Sequence, residues 1–382
     1  MRNLHFVVMA GATVILVASC SGGSHGPAAP STPAQSAQPA TPAAGTGQQG
    51  LGVSAPPAPS TTGPLRVVLH DALPVTDSAG QPPPAVICTE APDGSVFAAF
   101  APGPPGEGAV APSGSAVYVV DGDQPAQVAE HATIPVSALA ADDTNLYIGG
   151  SNQIVAYTRA TGALARTWTL TQPVRLMTVA AGMLWAVLGG QTGGQVVEIN
   201  PGSGGVTTVG TDTANVESVA AGPQGIYYVE SGGATIVHIS PDGTRQQAPT
   251  NQTVNQELSG PAAIQAISVI GDQLFLIHDA GQGLDSSSQT YNASTLAGPQ
   301  ANAPGTADNN HAISTLAGPL DLVSGESATG GSHVGRYNLS TGAVTDAVTY
   351  PADTEGIGPL LGPYPAVFVF PPSGPAYLDR IG

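Results

Sequence analysis

The chain has 382 residues, a formal charge of −18 and eight basic residues; all eight are Arg, and Lys is absent. That balance argues against nucleic acid, because phosphate binding needs a basic face. It also argues against a polybasic grip on anionic lipid, and it removes Lys-based Schiff-base chemistry.

With 50 Gly, 36 Pro and 9% charged residues, and no long helical apolar period beyond the amino terminus, the chain reads as all-β. The Ala, Gly and Pro enrichment, with Arg in place of Lys, is the mark of a GC-rich genome.

Residues 1–19 have the layout of an export signal. Arg2 supplies the basic start, and Leu4 to Ala18 form an apolar stretch of 15 residues. That is short of the roughly 20 needed to span a bilayer as a helix. Val17-Ala18-Ser19-Cys20 follows, small residues leading to a thiol. These four residues resemble the lipobox of bacterial lipoproteins, here of the actinobacterial type. The resemblance implies a diacylglyceryl group on Cys20, cleavage before it, acylation of the new amino terminus, and a place on the extracytoplasmic face of the cell membrane.

Residues 20–64 are Ser, Gly, Pro, Ala, Thr and Gln with almost no large apolar side chain. Such a segment buries too little surface to offset its ordering entropy, so it reads as a disordered spacer. Its Ser and Thr near Pro suit O-linked sugars, with plain disorder as the simpler reading. Cys88 is the second of the two cysteines. It sits in the apolar run Ala85-Val86-Ile87-Cys88 and reads as a buried, inert thiol with no internal disulfide.

Residues 65–382 carry a repeat of three to four short strands, at about the period expected of a β-propeller. Blade one is read as Val86–Ala91, Ser95–Ala101, Ala116–Val120 and Gln127–Ala132, with a hairpin turn at Asp93-Gly94. Blade two takes Val136–Ala141, Asn145–Gly149, Ile154–Arg159 and Ala163–Leu170. Blade three takes Val174–Ala181, Met183–Gly189, Gln195–Asn200 and Gly205–Val209. Blade four takes Val219–Ala221, Ile226–Val229, Thr235–Ile239 and Arg245–Ala248. Blade five begins with Ile264–Ile270 and Gln273–Asp279, and its outer strands are hidden in the polar run 280–307. Blade six takes Ala312–Ala317, Leu320–Ser324, His333–Asn338 and Ala343–Thr349. Blade seven takes Ile357–Leu361, Val367–Phe370 and Ala376–Ile381 and lacks a fourth strand. Leu65–Leu69, left over before blade one, supplies it, so the expectation is seven blades closed by an amino-terminal strand. The obscure fifth blade leaves eight open.

The run Ala221-Gly222-Pro223-Gln224-Gly225-Ile226-Tyr227-Tyr228-Val229, followed by Ile236–Ile239, Pro241 and Gly243, resembles bacterial propellers of the NHL, YVTN and quinoprotein-like kind. The likeness implies a fold and not a function.

In a propeller, residues that open inner strands or close second strands share one mouth. Arg175, Asn215, Glu217, Glu230, Gln265, His278, Asp279, Asn310, His311 and Glu355 fall at such positions. Carboxylates and imidazoles brought together there suit a divalent cation, Ca²⁺ or Mg²⁺, or acid–base work; loop polar residues with no such role are the plain reading. No phosphate loop, Cys cluster or Ser elbow accompanies them. Two functions follow. The first is a membrane-anchored binding or scaffold module for an envelope protein or glycan, without enzyme activity. The alternative is a cation-dependent, lactonase-like lyase or hydrolase. A quinone-dependent dehydrogenase ranks below both.

Overall fold

A computed structural model describes residues 3–9, 14–19, 66–73, 85–101, 110–120, 126–189, 194–211, 219–222, 224–230, 234–250, 264–270, 272–278, 287–299, 315–317, 322–326, 332–337, 344–351, 357–361, 366–371 and 375–382. Every regular element among them is a strand. The chain begins with β1 (Asn3–Met9), β2 (Val14–Ser19) and β3 (Val67–Ala72). Then come β4 (Ala85–Glu90), β5 (Val96–Ala101), β6 (Ala116–Val120) and β7 (Gln127–His131). The next group is β8 (Ala138–Ala141), β9 (Asn145–Gly150), β10 (Gln153–Thr158) and β11 (Leu164–Thr169). It is followed by β12 (Val174–Ala180), β13 (Met183–Leu188), β14 (Gln195–Ile199) and β15 (Val206–Thr211). Next stand β16 (Val219–Gly222), β17 (Gly225–Glu230), β18 (Thr235–Ile239) and β19 (Arg245–Pro249). Three strands follow, β20 (Ile264–Ile270), β21 (Gln273–His278) and β22 (Ser287–Asn292). The last groups are β23 (Thr315–Ala317), β24 (Leu322–Glu326), β25 (Ser332–Tyr337) and β26 (Val344–Thr349), then β27 (Ile357–Leu361), β28 (Ala366–Val369) and β29 (Tyr377–Ile381).

Each group from β4 to β26 is an antiparallel meander in sequence order, the pattern expected of the repeats. β3 joins the last group as its outermost strand. Ala72 pairs with Tyr377 and Val67 with Ile381, and Arg66 and Gly382 exchange two backbone hydrogen bonds of 3.0 Å beyond them. The apolar amino-terminal stretch, read above as an export signal, forms the hairpin β1–β2. β1 pairs parallel to β20 and β2 antiparallel to β4, so the two groups beside them become one nine-stranded sheet.

Burial explains the strand chemistry. Second strands such as β17 are buried along their whole length because both faces are covered, and β17 is apolar from Ile226 to Val229. Its Ile226 and Tyr228 pack with Leu176, Trp185 and Val187 of one neighbouring sheet. Tyr227 and Val229 pack with Leu274, Leu276 and Tyr291 of the other. Each such side chain, fully buried, contributes roughly 1.5–3 kcal/mol. Outer strands alternate instead: on β11, Thr167 and Thr169 are exposed and Trp168 is buried. The same face-to-face packing joins β4–β7 to the β8–β11 sheet through Ile87, Phe97, Leu139 and Ile148. It also joins the β27–β29 sheet back to β4–β5 through Phe368, Leu378, Val86 and Cys88.

The turns follow the sequence. Gly94, Gly162 and Gly243 have φ of 85°, 65° and 84°, the left-handed backbone that glycine adopts without strain. An aspartate opens three hairpin turns in the same way. The Oδ1 of Asp93, Asp142 and Asp242 accepts the N–H of Ser95, Thr144 and Thr244 at 3.1, 2.7 and 2.9 Å.

β22 lies inside the polar run whose strands were hidden in the sequence. Its Gln289 and Tyr291 are buried, and the Tyr291 hydroxyl donates to Gln289 Oε1 at 2.9 Å. A strand that buries an amide bonded to a phenol carries no apolar alternation to read.

Candidate functional site

Register places Arg175, Gln265, His278 and Glu230 at the same end of their respective sheets. Arg175 lies in the register shift between Val174 and Leu176, and Gln265 in the corresponding shift between Ile264 and Ala266. Both inner strands therefore carry a bulge at the same level, a device that re-aims a side chain. His278 closes β21 opposite Ile264. Asn215, Glu217, Asp279, Asn310, His311, Glu355 and Cys20 lie outside the described residues. Among the described residues, no group of three or more His, Cys, Asp and Glu side chains is arranged to hold a metal ion.

Glu230, at the end of β17, is buried and faces β19. Arg245 Nη2 donates to both of its carboxylate oxygens, at 3.0 and 2.8 Å. Burial works against the Arg245 charge, but Tyr228 and Glu230 beside it hold its pKa above the usual guanidinium value. Burial, then the Glu230 charge, pushes the Tyr228 phenol up to about 12. The carboxylate is thus already neutralised by a cation fifteen residues further on, a partner that no local spacing announces.

Three more polar clusters tie neighbouring sheets together. Arg159, just past the end of β10, reaches Asp93 Oδ2 at 2.5 Å, Ser95 Oγ at 3.1 Å and the Asp142 carbonyl at 2.8 Å, with its guanidinium 5.3 Å from the centre of the Phe97 ring. Burial alone would raise the Asp93 carboxyl; the Ser95 N–H and Arg159 hold it below the usual carboxylate range. Arg380 on β29 bonds Glu90 Oε1 at 3.3 Å and also donates to the Gly94 carbonyl. Both charged side chains of that pair are almost wholly buried.

The third cluster sits where β3 meets β29. Asp379 is buried, and its carboxylate accepts from His70 Nδ1 at 2.7 Å and from the Tyr350 hydroxyl at 2.9 Å. The His70 ring lies 4.2 Å from that of Tyr377 and is 57% exposed. Burial pushes the Asp379 carboxyl above its usual range despite both donors, and it pushes the Tyr350 phenol upward as well. No sequence signal pointed to this cluster, because its members lie at positions 70, 350 and 379 and meet only once β3 is docked.

No family model and no curated protein sequence matches the chain. Solved structures do resemble it. The WD40 repeats of RRP9 superpose with a TM-score of 0.54 at 12% identity, covering 83% of this chain and all of that one. Virginiamycin B lyase from Staphylococcus aureus gives 0.54 at 11% identity, covering 83% of this chain and 98% of that one. The Pan2 WD40 domain of Neurospora crassa gives 0.53 at 12% identity, over 83% and 95%. Identities this low speak for the fold alone, and together with the meandering sheets they establish this chain as an all-β protein of the β-propeller fold.

Proposed function

We propose that the protein is a lipid-anchored extracytoplasmic display module. Its propeller, of seven blades closed by β3, binds an envelope protein or glycan. The observation that carries this reading is the place of β3. The spacer 20–64 leads directly into an outermost strand, so the tether reaches the domain at its rim and leaves the two loop faces free for a partner. A second support is the outward charge. Arg159, Arg245 and Arg380 are paired one to one with Asp93, Glu230 and Glu90, which leaves the net charge of −18 unchanged and carried by the remaining carboxylates, suited to a basic partner. Cleavage before Cys20 takes β1 and β2 away with the signal, and β4 and β20 become the innermost strands of their own sheets.

Two measurements test the reading. Cells fed a palmitate analogue should label the wild-type chain and not Cys20→Ala; label that persists in the variant removes the anchor. Capture from envelope extracts on the purified protein should enrich a protein or glycan that free spacer peptide does not retain. The enzyme alternative predicts something else. Ca²⁺ or Mg²⁺ would raise the melting transition with concentration, and Glu217→Ala or His278→Ala would abolish the rise. A melting curve indifferent to both ions sets that alternative aside.

A further inference from the structure

The Asp379 carboxylate draws its two side-chain donors from two different places. One is His70 on the docked strand β3, and the other is Tyr350, which follows β26 of the neighbouring sheet. Asp379 and Tyr377 share the face of β29 turned toward that sheet, where Tyr350, Tyr377 and Val348 pack against Val334, Val367, Val369 and Ile381. Past its last ladder pair, β3 also places Leu73, buried to 1%, among Val86, Cys88, Phe368 and Leu378.

We propose that β3 is a releasable clasp coupled to the sheet interface through Asp379. Losing β3 leaves a buried carboxylate with one of its two side-chain donors, and a half-satisfied buried charge is expensive. The cost falls on Tyr350 and the interface it belongs to, not on β3 alone. On the reading proposed above, in which residues 1–19 are cleaved away, β3 is the strand through which the tether joins the domain. Whatever pulls on, cuts or competes for that segment is therefore felt between the β23–β26 and β27–β29 sheets. The clasp is half-exposed along its length: Val67 and Val68 are 37% and 38% exposed, and the His70 ring faces solvent. It stands at the low-stability end of the fold, from which switching elements are drawn.

Amide hydrogen exchange on the full chain in detergent reads this coupling. His70→Ala leaves the core intact, so the variant folds. It should speed exchange across 67–72 by about tenfold, the loss of one hydrogen bond to a charged group. It should speed exchange across 344–350 by a comparable factor, while β8–β11 stays unchanged. Tyr350→Phe should act in the reverse direction, loosening 67–72 from the neighbouring sheet. His70→Gln, which keeps an N–H donor, should restore much of the protection. Exchange that changes only in the mutated element, for either variant, overturns the coupling. So does protection in 67–72 that is indifferent to both.

Discussion

Asp379 and Arg380 are consecutive on β29, yet they bind opposite neighbours. Asp379 turns toward Tyr350 and the preceding sheet, and Arg380 turns toward Glu90 and the sheet that follows in the propeller. The two-residue period of a strand does this without any special backbone. One dipeptide thereby fixes a sheet on both sides, with His70 adding the amino-terminal strand to the same point.

Breaking the Arg380 side should cost more than an exposed pair would. Arg380→Ala leaves Glu90 charged, 1% exposed at its side chain and short of its cation, with an expected loss of about 3–5 kcal/mol in denaturant titration. The double variant Glu90→Met with Arg380→Met should recover most of that loss, because a well-packed apolar pair replaces a desolvated ionic one. If the double variant is no better than the single, the burial argument is mistaken.

Gly225 opens β17 with φ of 126°, and a Cβ there would lie 2.1 Å from the Ile239 carbonyl oxygen. Neither the backbone nor that oxygen can yield cheaply. Gly225→Ala should cost about 3 kcal/mol, the upper end of ordinary single substitutions. Gly243→Ala is the control. Its φ is 84° and nothing lies within 4 Å, so only the left-handed conformation is penalised, by about 1–2 kcal/mol. Equal melting shifts for the two would show that contact plays no part.

The acid side of the stability curve should depend on Asp93. Its carboxyl is held below the usual range, by the Ser95 N–H and Arg159 against the pull of burial. A carboxyl depressed in the folded state adds stability that is present above its unfolded pKa and lost as pH falls through the folded one. Asp93→Asn should therefore flatten the fall in stability below about pH 4. Asp379, raised by burial, works with the opposite sign: its contribution is present at low pH and is lost as pH rises. An Asp93→Asn curve parallel to wild type would count against the assignment.

On the alkaline side, burial pushes the Tyr227 phenol up to about 12, and its hydroxyl donates to the Ala293 carbonyl at 2.9 Å. The stability tied to this neutral phenol is intact below its unfolded pKa near 10 and disappears as pH climbs through the folded value. Tyr227→Phe should cost about 1 kcal/mol at neutral pH for the lost hydrogen bond, and should lose less than wild type between pH 10 and 12. A Tyr227→Phe variant that loses as much stability as wild type between pH 10 and 12 would contradict the burial.

Much of the architecture could be read in advance because strand alternation and turn residues are local. The stretch 218–243 yields β16, β17 and β18 from its apolar alternation, and Asp242-Gly243 marks the turn to β19. β22 escaped because its inward residues are polar and satisfy each other. The site was less legible. The places of Arg175 and Gln265 near the start of their strands follow from counting strands, but their bulges do not, since nothing in Val174-Arg175-Leu176 marks an inserted residue. Glu230 was placed at the correct end of its strand, whereas its engagement by Arg245 depends on how the outer strand folds back. The His70–Asp379–Tyr350 cluster joins both ends of the domain and has no local signature at all.

The inward use of arginine in a lysine-free chain bears on how this molecule can be handled. Reagents that couple to amines find no side chain to react with anywhere in the sequence. A protease that cuts after arginine meets Arg159 and Arg380 almost wholly covered, their guanidinium groups engaged by the neighbouring sheets. Surface capture and footprinting have the carboxylates to work through, since Asp and Glu number 26 against eight arginines.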